Sequence, residues 1–132
     1  MDESDAVRLS LQAEPASVGI ARRAVAELAA RVGAGEPALG DVKTVVSEAC
    51  SNVVRHAYGP EGGSFELEAS RHDDELAIVV RDSGRGIQPQ VSAGATSLRL
   101  GLGLISALSI GYEVAGRGER GTELRIRMAL TG

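Results

Sequence analysis

Hydrophobic positions change period several times along the chain, and each change marks an element. Val7 to Ala13 (VRLSLQA) alternates apolar and polar, the pattern of a half-buried strand. Apolar residues then recur at Val18, Ala21, Val25, Leu28 and Val32, a helical stripe with Ser17 placed to cap it and Gly33 and Gly35 to end it. A second helix is expected from Pro37, which suits a first helical turn, to about Tyr58. At about 100° per residue, its Val42, Val45, Val46, Ala49, Val53 and Ala57 share one arc. GPEGG, Gly59 to Gly63, stops it. Ser64 to His72 and Glu75 to Asp82 read as strands joined tightly at Asp73-Asp74. Gly84 to Arg99 has no period and is rich in Gly, Ser, Ala and Thr, so it reads as a loop. GLGLISALSI, from Gly101, opens with glycines and turns helical. YEVAGRG, from Tyr112, and TELRIRMAL, from Thr122, are two closing strands around a Gly-rich turn.

Strands joined by short turns pair antiparallel, and helices arriving together cover one face. The expected fold class is therefore α+β: a two-layer sandwich with a mixed, mostly antiparallel sheet and its helices on one face. Strict strand–helix alternation, the mark of a doubly wound nucleotide fold, is missing. The 132 residues suit a single domain, 1–132, with residues 1–6 expected to be a disordered tail.

Composition narrows the function classes. Only 2% of residues are aromatic, so the core must be aliphatic and base stacking on an aromatic platform is unavailable. The net charge of -4 is also wrong for a phosphate-backbone binder, and no direct nucleic-acid partner is expected. Cys50, the single cysteine, can form neither an internal disulfide nor the usual zinc site, and reads as a small buried hydrophobe. The acidic start MDESDAV lacks a signal pattern, and no apolar run approaches the ~20 residues that span a membrane. A soluble, cytoplasmic protein without a membrane partner is expected.

Three stretches hold candidate chemistry. On the second helix, Glu48, Asn52 and His56 fall four residues apart, so a carboxylate, an amide and an imidazole follow one margin of the apolar arc. Taken singly they also fit a solvated helix flank. RDSGRGI, Arg81 to Ile87, follows the apolar strand LAIVV; Asp82 sits at the strand end, and Gly84 and Gly86 permit a sharp turn and close ligand approach. Alone it also fits a plain β-turn. LGLGLIS, Leu100 to Ser106, offers free N–H groups at a helix start. It is not a dinucleotide fingerprint, because no convincing strand precedes it and Ser106 stands where the third glycine belongs; a Walker A loop is absent as well.

The order of these stretches is more specific than any one of them. Glu-x-x-x-Asn-x-x-x-His on a helix, Asp-x-Gly-x-Gly-Ile after a strand, Gly-x-Gly-Leu before a helix and then Gly121-Thr122 resemble the Bergerat-fold ATP-binding superfamily, roughly from Val7 to Leu130. Within it, SEACSNVVRHAYGP looks like the anti-sigma-factor serine/threonine protein kinases. The resemblance implies ATP and Mg2+ as cofactors and a bacterial partner switch. The kinase would phosphorylate a serine on an anti-anti-sigma factor and sequester a sigma factor. Members often form homodimers.

By the same resemblance Asp82 would bind the adenine amino group, with Thr122 in support. Asn52 would coordinate Mg2+, and Glu48 would be the general base. Gly101, Leu102, Gly103 and Leu104 form the second glycine box, which cradles the phosphates. Asp82, Gly84, Gly86 and Ile87 belong to the first glycine box. Arg99 would reach the β- or γ-phosphate, and Arg55 and His56 would contact phosphate or order the lid, residues 85–99. The sequence carries no phosphoacceptor-histidine helix and no transducer domain, which favours the small serine kinase. Two alternatives stay open: the ATP-binding domain of a histidine kinase, and a nucleotide-binding interaction module with negligible kinase activity.

Overall fold

A computed structural model describes residues 5–84, 102–116 and 121–131. The elements run β1 (Ala6–Gln12), α1 (Pro15–Arg31), α2 (Glu36–His56), β2 (Ser64–His72), β3 (Glu75–Asp82), a short helix α3 (102–108), β4 (Gly111–Gly116) and β5 (Thr122–Ala129). The strands form one sheet in the order β1-β2-β3-β5-β4. Every pairing among the described residues is antiparallel, so the sheet expected to be mixed contains no parallel pair there. The two-layer α+β architecture is as expected, with α1 over β1 and β2 and α2 over β3 and β5.

The core follows from strand alternation and one helical arc. Phe65, Leu67 and Ala69 of β2, Leu76, Ile78 and Val80 of β3, and Leu124, Ile126 and Met128 of β5 are all buried. They meet Val42, Val45, Val46, Ala49, Val53 and Ala57, the whole arc expected on the second helix. Each fully buried aliphatic side chain contributes roughly 1.5–3 kcal/mol. Cys50 lies in this core, where burial pushes its thiol up to about 12 and makes it unreactive near neutral pH.

Two boundary expectations are corrected. Ser17 does not cap α1. The helix already begins at Pro15, whose missing N–H and fixed φ suit a first helical position, and Glu14 is the N-cap. The Ser17 N–H bonds the Glu14 carbonyl at 3.0 Å, and its side chain is buried. The tail expected over 1–6 is shorter at its inner end, because Ala6 opens β1 and Asp5 pairs with Arg71 at 3.0 Å. Residues 1–4 lie outside the described ones. The tight β2–β3 turn is as expected: His72 faces Glu75, and Asp73 takes the positive φ of 57°, a conformation Asp tolerates better than most residues.

The sheet face away from the helices is charged. Arg81 reaches Glu123 at 2.6 Å and also pairs with Glu68, Arg125 pairs with Glu123, and Arg8 lies 3.6 Å from Glu68. Hydrogen bonds from Arg81 first, then Arg125, hold the Glu123 carboxyl below its ordinary value. Bonds to Glu68 and Glu123 raise the Arg81 guanidinium further. Among the described residues no helix is long and apolar enough to cross a membrane.

Candidate functional site

The second half of α2 and the ends of β3 and β5 enclose one pocket. Its walls are Ala49, Val53, Ala57, Val80, Leu102 and Leu124, and its polar groups are Asn52, His56, Asp82 and Thr122. The enclosed cavity is small, about 50 Å³, and the empty space reaches about 480 Å³ only when the open solvent at its mouth is counted. An apolar chamber with a few convergent polar groups is the usual form of a small-molecule site.

Register builds the floor. Val80 faces Leu124 and Asp82 faces Thr122 across β3 and β5, so two apolar and two polar side chains share the helix-facing side. The intervening pair, Arg81 and Glu123, faces away. Asp82 and Thr122 are each 6% exposed, unusual burial for a carboxylate. One Asp82 oxygen, Oδ1, accepts the Gly84 N–H at 3.0 Å.

Three close approaches at glycines shape the ends of these elements. A Cβ on Gly84 would lie 1.9 Å from the Ala57 carbonyl oxygen, so only glycine lets the turn after β3 meet the end of α2. Gly121, at φ +94°, would place a Cβ 2.4 Å from the Asp82 carbonyl oxygen. Its N–H instead donates to the Gly84 carbonyl at 2.9 Å. A Cβ on Gly63 would come within 2.4 Å of the Tyr58 ring.

Buried polar atoms point to a ligand. Asn52 Oδ1, His56 Nε2 and Thr122 Oγ1 are buried without a hydrogen-bond partner, and all three residues line the pocket. An unpaired buried donor or acceptor costs roughly 1–3 kcal/mol, which a bound polar ligand removes. Ser109 Oγ, the other such atom among the described residues, belongs to no wall of this pocket. No three His, Cys, Asp or Glu side chains converge as a metal site among the described residues. A hard cation held through the Asn52 oxygen would therefore take its other oxygens from a ligand and water, the habit of Mg2+.

The structure brings together Asn52, His56, Asp82, Leu102 and Thr122, while Gly84 is not a wall residue but packs against Ala57, which is one. Glu48 lies one helical turn before Asn52 and is half-buried, but it is not a wall residue. Arg55, Gly103 and Leu104 are exposed and off the pocket lining. Arg85, Gly86, Ile87, Arg99 and Gly101, and with them the expected lid, lie outside the described residues. Sequence reading placed Val80 and Leu124 on strands but not in the site, whose apolar wall they form. It also missed Tyr58, whose hydroxyl accepts the Ser83 N–H at 2.9 Å.

Comparison with known proteins gives the chain a family and a set of relatives. Residues 11–128 match the family model described as the histidine kinase-like ATPase domain. A serine-protein kinase RsbW from Bacillus velezensis is 37% identical over 81 residues, covering 61% of this chain and 51% of the relative. One of the same name from Bacillus subtilis is 33% identical over 84 residues, covering 63% of this chain and 52% of the relative. The match thus spans about half the length of these curated relatives. The RsbU and RsbW domains of Rv1364c from Mycobacterium tuberculosis superpose with a TM-score of 0.74 at 22% identity, over 95% of this chain and 32% of that one. The SiaB–SiaC complex from Pseudomonas aeruginosa gives 0.71 at 17% identity, over 92% of this chain and 88% of its counterpart. At such identities these two structures establish the fold alone.

Proposed function

The chain belongs to the histidine kinase-like ATPase domain family, and from that premise we propose that it is an ATP-dependent protein serine kinase that also acts as an anti-sigma factor. It phosphorylates a serine of an anti-anti-sigma partner and sequesters a sigma factor, as a homodimer in the cytoplasm. The observation that carries the nucleotide half is the buried Asp82–Thr122 pair beside Asn52 in an apolar-walled pocket. The kinase half is supported by relatives named serine-protein kinase. The anti-sigma half is supported by the sequence resemblance around SEACSNVVRHAYGP.

Bound ATP with Mg2+ supplies the transferable phosphoryl group. Val80, Leu124, Ala49 and Val53 exclude water from a planar base, and the Asp82 carboxylate accepts a hydrogen bond from its amino group. The Thr122 hydroxyl supports the same end. Asn52 offers the metal a neutral oxygen, which adds no negative charge beside phosphates. His56 Nε2, buried toward the pocket, binds ligand oxygen or orders what covers it. A Cβ on Gly103 would meet nothing within 4 Å, and Gly103 keeps, with Leu102 and Leu104, the phosphate-cradling role the resemblance gives it. Gly86, Ile87, Arg99, Gly101 and the lid keep the phosphate and base roles the resemblance gives them, and exposed Arg55 a phosphate role at the rim.

Glu48, one turn from Asn52, takes the proton from the incoming serine hydroxyl. A carboxylate is a weak base for a hydroxyl, so its help comes from position, with the proton leaving late. Phosphoryl transfer depends mainly on alignment and charge stabilisation, which makes this sufficient. The test is incubation with γ-labelled ATP and an anti-anti-sigma protein from the same genome. Acid-stable phosphoserine that Glu48→Gln abolishes is the expected result. An acid-labile label would replace this reading with histidine phosphotransfer.

A further inference from the structure

Tyr58 follows the end of α2 and is not a wall residue of the pocket, yet it ties the end of α2, the start of β2 and the turn after β3 together. Its phenolic oxygen accepts the Ser83 N–H at 2.9 Å, and its O–H donates to the Ser64 carbonyl at 2.5 Å. Its ring lies against Gly63 so closely that a Cβ there would be 2.4 Å from Cε1. One hydroxyl therefore joins the start of β2 to the turn after β3.

That turn orients the carboxylate. Ser83 separates Asp82 from Gly84, and the Gly84 N–H donates to Asp82 Oδ1 at 3.0 Å. The Gly84 carbonyl in turn accepts the Gly121 N–H at 2.9 Å. Fixing Ser83 thus fixes the donor that aims Asp82. The neighbouring Ala57–Gly84 approach leaves the turn little alternative path once the Tyr58 bond is made.

We propose that Tyr58 is the positioning residue for Asp82, and through it a determinant of preference for a base that bears an exocyclic amino group. This rests on the nucleotide reading above. Adenine and hypoxanthine differ at that group, an amine against a carbonyl, so the ratio of ADP to IDP affinity reports how well the carboxylate is aimed. A merely structural role lowers stability without moving that ratio.

The experiment is calorimetric titration of the full chain with ADP and with IDP, in the parent, Tyr58→Phe and Gly63→Ala, beside thermal melts. Tyr58→Phe deletes only the hydroxyl; Gly63→Ala keeps it and displaces the ring. The parent is expected to prefer ADP. Tyr58→Phe should weaken ADP about five- to tenfold, the scale of one well-placed hydrogen bond, and IDP less than twofold. Gly63→Ala should narrow the ratio in the same direction, and it decides the matter if the phenylalanine variant does not fold. A ratio unchanged from a binding parent overturns the role of Tyr58 and leaves the nucleotide reading intact. A parent that binds neither nucleotide removes that reading and this proposal together.

Discussion

Asp82 and Thr122 stand opposite each other across β3 and β5, both buried to 6% exposure on the helix-facing side of the sheet. Their neighbours Arg81 and Glu123 form the ion pair on the other side. Strand side chains alternate with period two, so a slip of one residue would exchange the pocket pair for the charged pair. The register of these two strands therefore decides whether the chain has a site at all.

Thr122→Val keeps the branched shape and removes a hydroxyl that has no partner. Deleting an unsatisfied buried group is close to neutral or stabilising. The melting temperature should hold or rise while Mg-ATP affinity falls by about threefold or more. A loss of stability with unchanged affinity would show that the hydroxyl serves the fold instead.

Gly84→Ala and Gly40→Ala should act in opposite directions. At Gly84 the new methyl meets the Ala57 carbonyl oxygen at 1.9 Å, so the turn must move; the expected cost is about 1–3 kcal/mol or more, with loss of nucleotide binding. Gly40 sits exposed inside α2 with nothing within 4 Å, and alanine there should stabilise by roughly 0.4–1 kcal/mol. Denaturant melts of the two variants check both signs.

Acid should loosen the charged face through Glu123. Its folded value is lowered, so its contribution is fully present above the ordinary carboxylate range and is lost as pH falls through the lowered value. Arg81, raised above its already high value, stays charged throughout. Glu123→Gln should be less stable than the parent at neutral pH, and the gap should close toward strongly acidic pH. A gap independent of pH would mean that packing, not charge, accounts for the effect.

Much of this was legible in the sequence. The arc from Val42 to Ala57 was complete because helical periodicity over many turns has few alternative readings. Asn52, Asp82 and Thr122 were found through the order of their motifs, and the structure gathers them in one pocket. Ser17 misled because a good capping residue competed with Pro15, and the proline's fixed φ prevailed. Tyr58 was invisible because its contacts depend on a tertiary approach: Ser83 is 25 residues away. The charged network was equally hidden, since Glu68, Arg81 and Glu123 meet only when three strands take their register.

The most direct test of the nucleotide site is a calorimetric titration with Mg-ATP, run on the parent and on Asp82→Asn. Saturable binding that the substitution abolishes is the predicted result, because the amide would present a donor or lose the Gly84 bond where the carboxylate accepts. Absence of binding in the parent under any metal condition, or equal binding in the variant, would contradict a nucleotide site built on Asp82.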